Sequence, residues 1–305
     1  MKGKKFLVTG ATGFVGSNLS RKLLELDCKV SIISKKEFGY QNIEDIKEKL
    51  DVFEYDGNIL NLIEYMKKNK FDGVFHLASL FIAEHKSLDI DNLIDSNIKF
   101  GVQLLEAMKE SETKLLVDTG TSWQHYEDEN YNPVDLYAAT KQAFQDIIKY
   151  YTEAENIRCI TLKLFDTYGE NDKRPKLINL LNKFAKEKVE LNMSPGNQML
   201  DLVYIDDVVK AFLVAIEELI RNKDIKNEKF AVATGNETSL KKVIEIFENV
   251  SNKKIKVNWG GKKYRKREVM RLWNNYTLLP NWEFKVSLKE GLKKYKVEST
   301  NENNK

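Results

Sequence analysis

The chain has 305 residues, 42% hydrophobic and 31% charged, which is ordinary soluble composition and enough for a large core or two lobes. Its 49 basic and 46 acidic residues leave a formal charge of +3. The basic residues are scattered rather than blocked, which argues against a nucleic-acid or membrane surface.

The start, MKGKKFLVTGATG, runs into glycines after too few apolar residues for a secretory signal. No segment approaches the ~18 apolar residues of a membrane span. Cys28 and Cys159 are too few and too isolated for a disulfide framework or a Cys-based metal site. A cytoplasmic protein with two buried thiols, no bound metal, no membrane and no nucleic-acid partner is the expectation.

In chain order, short apolar runs recur at 6–10 (FLVTG), 30–34 (VSIIS), 52–56 (VFEYD), 73–79 (GVFHLAS), 114–120 (KLLVDTG) and 159–165 (CITLKLF). Stretches of helical spacing such as GSNLSRKLLEL and DNLIDSNIKFGVQLLEAMKES separate them. Near-continuous apolar strands alternating with helices predict an α/β domain with a doubly wound parallel sheet covered on both faces.

After Phe165 this rhythm breaks around Arg174-Pro175 and Ser194-Pro195-Gly196. It resumes as a strand and helix in LVYIDDVVKAFLVAIEEL and as a run at 230–235, FAVATG. The pattern predicts a smaller, discontinuous α/β lobe at 166–198 and 236–298, with 1–165 and 199–235 forming the sheet domain. The polar tail at 299–305 is expected to fray.

The first run opens into Gly10-x-x-Gly13-x-x-Gly16 and then a helical pattern. The first glycine permits a sharp turn, the second a close approach to a pyrophosphate, and the third tight packing of helix on strand. Thr12, Phe14 and Val15 lie within this loop. A dinucleotide is therefore expected at the first βα turn of the sheet.

Its identity is decided at the end of the second strand, about 20 residues on, where an acid would hold a ribose 2′-hydroxyl. Ser34 stands there, followed by Lys35 and Lys36. A hydroxyl and ammonium groups suit a 2′-phosphate, so NADPH is favoured over NADH. Asp56, with Gly57 after it, is placed to meet the adenine amino group.

Asn132-Pro133 predicts a helix start, with Asn132 as cap and Pro133 in the first helical position. Tyr137 and Lys141 then share one helical face, with about 5–6 Å between Cβ atoms. A nearby ammonium favours phenolate, so Tyr137 is expected to move down from ~10. Thr121, just past the fifth run, can hold a carbonyl or alkoxide oxygen while Tyr137 moves the proton. Ser122 competes for that role, and His125 could replenish the proton.

With these residues in view, the whole chain resembles an extended short-chain dehydrogenase/reductase of the nucleotide-sugar epimerase/dehydratase family. The motifs TGATGFVG, HLAS, TGTS, YAATK, LKLFDTYG and LVYIDDV fall in that family's order, and 279–292 is similar to its closing motif.

The resemblance implies a Rossmann domain with a nucleotide-sugar-binding lobe, and Thr121, Tyr137 and Lys141 as catalytic triad. Leu77, Ala78, Ser79 and Leu164 are implied at the cofactor. Ser79, Ser122, Trp123, Asp166, Lys176, Arg265 and Arg267 are implied at the substrate. A homodimer built through two helices, including 134–155, is also implied.

Dehydratases of the family carry an Asp-Glu pair where Ser122 and Trp123 stand, which argues against dehydration. Asp166 replaces a usual Asn, and Leu200 a usual Arg. The sequence is more narrowly similar to reductases of CDP-linked 4-keto-3,6-dideoxyhexoses, the abequose and paratose synthases. That resemblance implies NADPH-dependent reduction of a C4 ketone and a place in the deoxysugar chemistry of lipopolysaccharide. The rival readings are an NAD-dependent sugar C4 epimerase and a non-catalytic dinucleotide sensor.

Overall fold

The computed structural model describes residues 1–35 and 39–301. The first half runs β1 (Lys5–Thr9), α1 (Phe14–Glu25), β2 (Lys29–Ser34), β3 (Asp51–Glu54), α2 (Ile59–Asn69), β4 (Gly73–His76), α3 (Ile90–Ile94), α4 (Phe100–Glu110), β5 (Leu115–Thr121), α5 (Leu136–Ala154) and β6 (Arg158–Leu164). The second half runs β7 (Asp166–Tyr168), α6 (Leu177–Glu187), β8 (Leu191–Met193), β9 (Met199–Leu200), β10 (Leu202–Tyr204), α7 (Ile205–Arg221), β11 (Asn227–Val232), β12 (Thr238–Ser239), α8 (Leu240–Ser251), β13 (Val257–Trp259) and α9 (Leu288–Asn301).

Seven strands form one sheet in the order β3-β2-β1-β4-β5-β6-β11, and every neighbouring pair is parallel. The predicted doubly wound sheet is therefore present. Alternation along β1 shows why both faces are dry: Phe6 and Val8 enter one core cluster with Phe14, Leu19 and Phe212, and Leu7 enters the other with Leu104 and Phe144. The chain reverses its direction of winding between β1 and β4, so the crevice beyond their carboxyl ends is the natural ligand site.

LVYIDDV does not rejoin this sheet as a strand. β10 pairs with β7 in a separate two-stranded ribbon, and the return is made by α7, which packs on α1, β5 and β6, and by β11. Strands β8 and β13 pair in a second ribbon and β9 and β12 in a third.

Two buried carboxylates bind these outlying segments to the sheet. Asp201 accepts from the backbone N–H groups of Thr234 and Gly235, both at 2.9 Å. Asp207, on α7, accepts from the N–H groups of Lys285 and Val286 at 3.0 and 2.9 Å. Both thiols are free and buried. Among the described residues, no helix is long and apolar enough to cross a membrane. The expected polar tail lies partly outside the described residues.

Candidate active site

The loop between β1 and α1 turns on two glycines, Gly10 and Gly16, that have no room for a Cβ. Gly10 has φ +71°, and a Cβ there would lie 2.6 Å from the backbone nitrogen of Ala78. A Cβ on Gly16 would lie 2.2 Å from the carbonyl oxygen of Gly10, so α1 lies hard against the turn. Gly13 occupies the N-cap of α1 with no side-chain cap, which leaves the helix's first N–H groups unclaimed by any side chain. This cradle, which Cβ atoms would fill, fits a dinucleotide pyrophosphate.

Thr9 and His76 join the ends of β1 and β4: Thr9 Oγ1 lies 2.8 Å from His76 Nδ1 and accepts the Ala78 N–H at 3.2 Å. Leu77, Ala78 and Ser79 are thereby held across from the glycine loop. Thr12 is fixed through its carbonyl, which accepts from Asn42 at 2.9 Å. Phe14 opens α1 beneath the Arg174 guanidinium, 4.5 Å from its ring, and Val15 lines the cleft beyond.

Ser34 ends β2 almost fully buried, and its hydroxyl donates to the Lys35 carbonyl at 3.3 Å. Lys35 is exposed beside it, and Lys36 lies outside the described residues. Asp56 is exposed, with its carboxylate accepting from the Asn58 N–H at 2.9 Å and Asn61 at 2.8 Å, and Gly57 follows at φ +90°.

Thr121, Ser122, Trp123, Tyr137, Leu164, Asp166 and Lys176 line one cleft of about 190 Å³, with Val15, Phe81 and Arg174. The structure thus gathers residues more than fifty positions apart at the carboxyl edge of the sheet. A larger groove of about 680 Å³, bounded by α1, α7 and 281–286, holds none of them.

Thr121 ends β5, and its hydroxyl oxygen accepts the Trp123 N–H at 3.3 Å. Its proton is left to donate outward. Behind it, Gln124 is fully buried and accepts the Thr121 N–H at 3.0 Å and Gln145 Nε2 at 3.2 Å. This pins the start of the loop to α5.

The cap of α5 is Asp135, not Asn132. Asp135 accepts the Ala138 N–H at 2.8 Å, and the helix begins at Leu136. Asn132 is drawn instead into pairing with the preceding loop: its N–H donates to the Gln124 carbonyl at 2.9 Å, and its own carbonyl accepts the Tyr126 N–H at 2.7 Å. Tyr137 and Lys141 remain one turn apart on α5.

The expected downward shift of Tyr137 is not supported. Burial pushes the Tyr137 hydroxyl well above its usual range, the carboxylates of Asp135 and Asp118 push the same way, and a hydrogen bond with Ser79 opposes them. Tyr137 is held as the phenol. Lys141 is buried and its ammonium is pulled down by that burial, with Asp118 acting in the opposite sense.

Aromatic groups wall the cleft. Phe81 meets Tyr137 edge-on at 5.0 Å and Trp123 at 5.5 Å. Lys176 Nζ lies 3.9 Å from the Phe81 ring centre, and the Arg265 guanidinium lies 4.9 Å from that of Trp123. Asp166 is raised by burial and drawn back by Lys176, Arg265 and Arg174.

Arg265 is also held in a fork by Glu268, at 2.8 and 3.2 Å. Arg267 is not among the residues lining the cleft. It donates to Asn132 and covers Tyr126 at 4.2 Å. His125 is buried too: its Nε2 lies 2.6 Å from Lys163 Nζ, its Nδ1 lies 2.9 Å from the Glu129 carbonyl, and its ring stacks on Trp273 at 3.9 Å. Burial pushes it down to about 4, which leaves a neutral structural ring rather than a proton source.

Sequence reasoning missed three contributors. Asn97 sits in a π-helical segment, Asp95–Lys99, and its side chain reaches Ser79, Leu80 and Thr140. Arg174 stands out in the sequence only as the residue before a proline, and Asp135 is overshadowed by Asn132-Pro133. A polar asparagine on an otherwise apolar helical face is the available signal for the first.

Comparison with known proteins gives the family and the fold. The family model described as "NAD dependent epimerase/dehydratase family" matches residues 6–232. The chain is 28% identical over 296 residues to a CDP-abequose synthase of Salmonella muenchen, covering 95% of this chain and 96% of the relative.

Among solved structures, it is similar to a UDP-N-acetylglucosamine 4-epimerase from Methanobrevibacter ruminantium M1 at TM-score 0.83 and 22% identity, covering 99% and 100% of the two chains. It is also similar to a UDP-glucuronic acid 4-epimerase from Bacillus cereus in complex with UDP-glucuronic acid and NAD, at TM-score 0.81 and 25% identity, covering 97% and 99%. With its glycine cradle, a cleft that holds Thr121 and Tyr137 together, and a match across most of its length, the chain belongs to the NAD dependent epimerase/dehydratase family and is an enzyme that depends on a nicotinamide dinucleotide.

Proposed function

We propose that the protein reduces the C4 ketone of a nucleoside-diphosphate 4-keto-deoxyhexose, with CDP as the nucleotide and NADPH as the reductant. The observation that carries this reading is the cleft itself. Tyr137, its hydroxyl pushed up by burial, lines one cleft with Thr121, and the two positions after Thr121 hold Ser122 and Trp123 rather than the carboxylates that dehydration would need. The likeness to a CDP-abequose synthase supports the same choice.

When bound, the nicotinamide supplies the hydride. Main-chain groups at Gly10, Gly13 and Gly16 would hold the pyrophosphate, Ser34 and Lys35 the 2′-phosphate, and Lys141 the nicotinamide ribose. The Thr121 hydroxyl donates to the ketone oxygen, and Tyr137 gives that oxygen its proton as the alcohol forms. Lys141 holds positive charge behind the tyrosine, which eases loss of that proton. Lys176, Arg174 and Arg265 hold the diphosphate, and Trp123 and Phe81 form a wall for the sugar.

A C4 epimerase is the second reading, favoured by the likeness to the Bacillus cereus enzyme. The deciding experiment is a panel of nucleoside-diphosphate 4-ketosugars with NADPH and NADH, following the loss of reduced-cofactor absorbance and identifying the alcohol. Net cofactor consumption is expected with NADPH. No turnover with any 4-ketosugar, together with conversion of a 4-hydroxy sugar without added reductant, would replace the reductase by the epimerase.

A further inference from the structure

Behind the cleft lie two buried groups of opposite charge on neighbouring elements, Asp118 of β5 and Lys141 of α5, and the proposed chemistry leaves the first unexplained. Asp118 is the fourth residue of β5, and its side chain shares a sheet face with Leu116, in the cluster covered by α4 and α5. It is 1% exposed, and Lys141, on α5, is 2% exposed. Thr161 Oγ1 donates to Asp118 Oδ2 at 3.2 Å, whereas Oδ1 has no hydrogen-bond partner. An unsatisfied carboxylate oxygen in such a place is costly unless a cation compensates it.

We infer that Asp118 is a positioning residue that acts through Lys141, its carboxylate keeping the buried ammonium charged for work beside Tyr137. The inference deepens the proposed reaction, because it rests on Lys141 being the lysine of the active site.

The neighbours leave this role to Asp118. His76, from β4, is pushed down to about 3 by burial and by Lys141, so it is neutral. Cys159, from β6, is pushed up by burial and by Asp118 and stays a thiol. Tyr137, from α5, stays a phenol. Thr9 and Thr161 carry no charge. Lys229, from β11, also acts on Asp118, but it is exposed and screened. Each member of the pair thus pulls the other back toward the charged form against the burial that opposes it.

The test titrates Lys141 in protein labelled with 13C at lysine Cε, its resonance assigned by loss in Lys141→Arg, with no sugar present. Asp118→Asn keeps shape and removes charge. The Lys141 midpoint is expected to fall by about one unit or more, a tenfold or larger loss of proton affinity. A purely structural role would lower the unfolding temperature and leave that midpoint where it is, and an unchanged midpoint overturns the inference.

Should Asp118→Asn fail to fold, the same coupling is read from the other partner. Lys141→Met is expected to add the infrared carbonyl band of one protonated carboxyl group near neutral pH, and no added band overturns the inference. Because neither readout uses a sugar, failure of every 4-ketosugar to turn over would remove the reductase reading and leave this result standing.

Discussion

Asn97 grips the backbone of Leu80 at both ends, its Oδ1 accepting the Leu80 N–H at 2.7 Å and its Nδ2 donating to the Leu80 carbonyl at 2.9 Å. The same Nδ2 donates to Thr140 at 3.0 Å, and Thr140 donates to the Tyr137 carbonyl at 2.7 Å. One amide therefore ties the loop after β4 to the turn of α5 that carries the tyrosine. Asn97→Leu leaves the Leu80 groups without that partner and should cost about 1–3 kcal/mol in urea unfolding. Turnover should fall with it, and an unchanged denaturation midpoint would show that the grip is dispensable.

Gly16 is the least replaceable residue of the cofactor cradle. Because the Cβ of Gly16→Ala would meet the Gly10 carbonyl at 2.2 Å, helix and loop must separate. Fluorescence titration with NADPH should show affinity at least about tenfold weaker, since the backbone positions the anion site. Binding equal to the native protein would contradict the cradle.

Tyr137→Phe removes the proton and little else. Turnover should drop by roughly 10²-fold or more, while sugar and cofactor binding stay near native. Wild-type rates in this variant would take Tyr137 out of the role.

Acid sensitivity should come in part from His125. Its folded-state affinity for a proton is depressed to about 4, below the ordinary 6.5, so the unfolded chain takes up the proton first. Its contribution to stability is then full above pH 6.5 and is lost as pH falls toward 4, at about 1.4 kcal/mol for each unit of depression. His125→Phe should flatten that part of the stability profile relative to the native protein. The carboxylates titrate in both proteins and cancel in the difference, so identical profiles would rule His125 out.

The parts of this site that are legible in the sequence are those set by local rules. Gly10 and Gly16 mark a turn whose geometry needs glycine, and Tyr137 and Lys141 need one helical turn to meet. What escapes depends on contacts between distant segments. Asn132-Pro133 carries a good local start signal, yet pairing with Gln124 and Tyr126 moves the helix start to Leu136. LVYIDDV reads as a core strand, but the partner β10 takes is β7. The upward shift of Tyr137 is set by burial and by Asp135 and Asp118, none of which a spacing of four residues reveals.

Arg174 carries a consequence for the order in which ligands interact. It is held in a fork by Asp172, donates to Thr167, lines the cleft near Tyr137, and lies over Phe14 at the mouth of the glycine loop. A molecule that moves this guanidinium from the cleft side changes what the glycine loop meets, and a molecule seated on that loop changes the guanidinium in return. The two affinities must then alter each other by the same factor, whichever ligand arrives first.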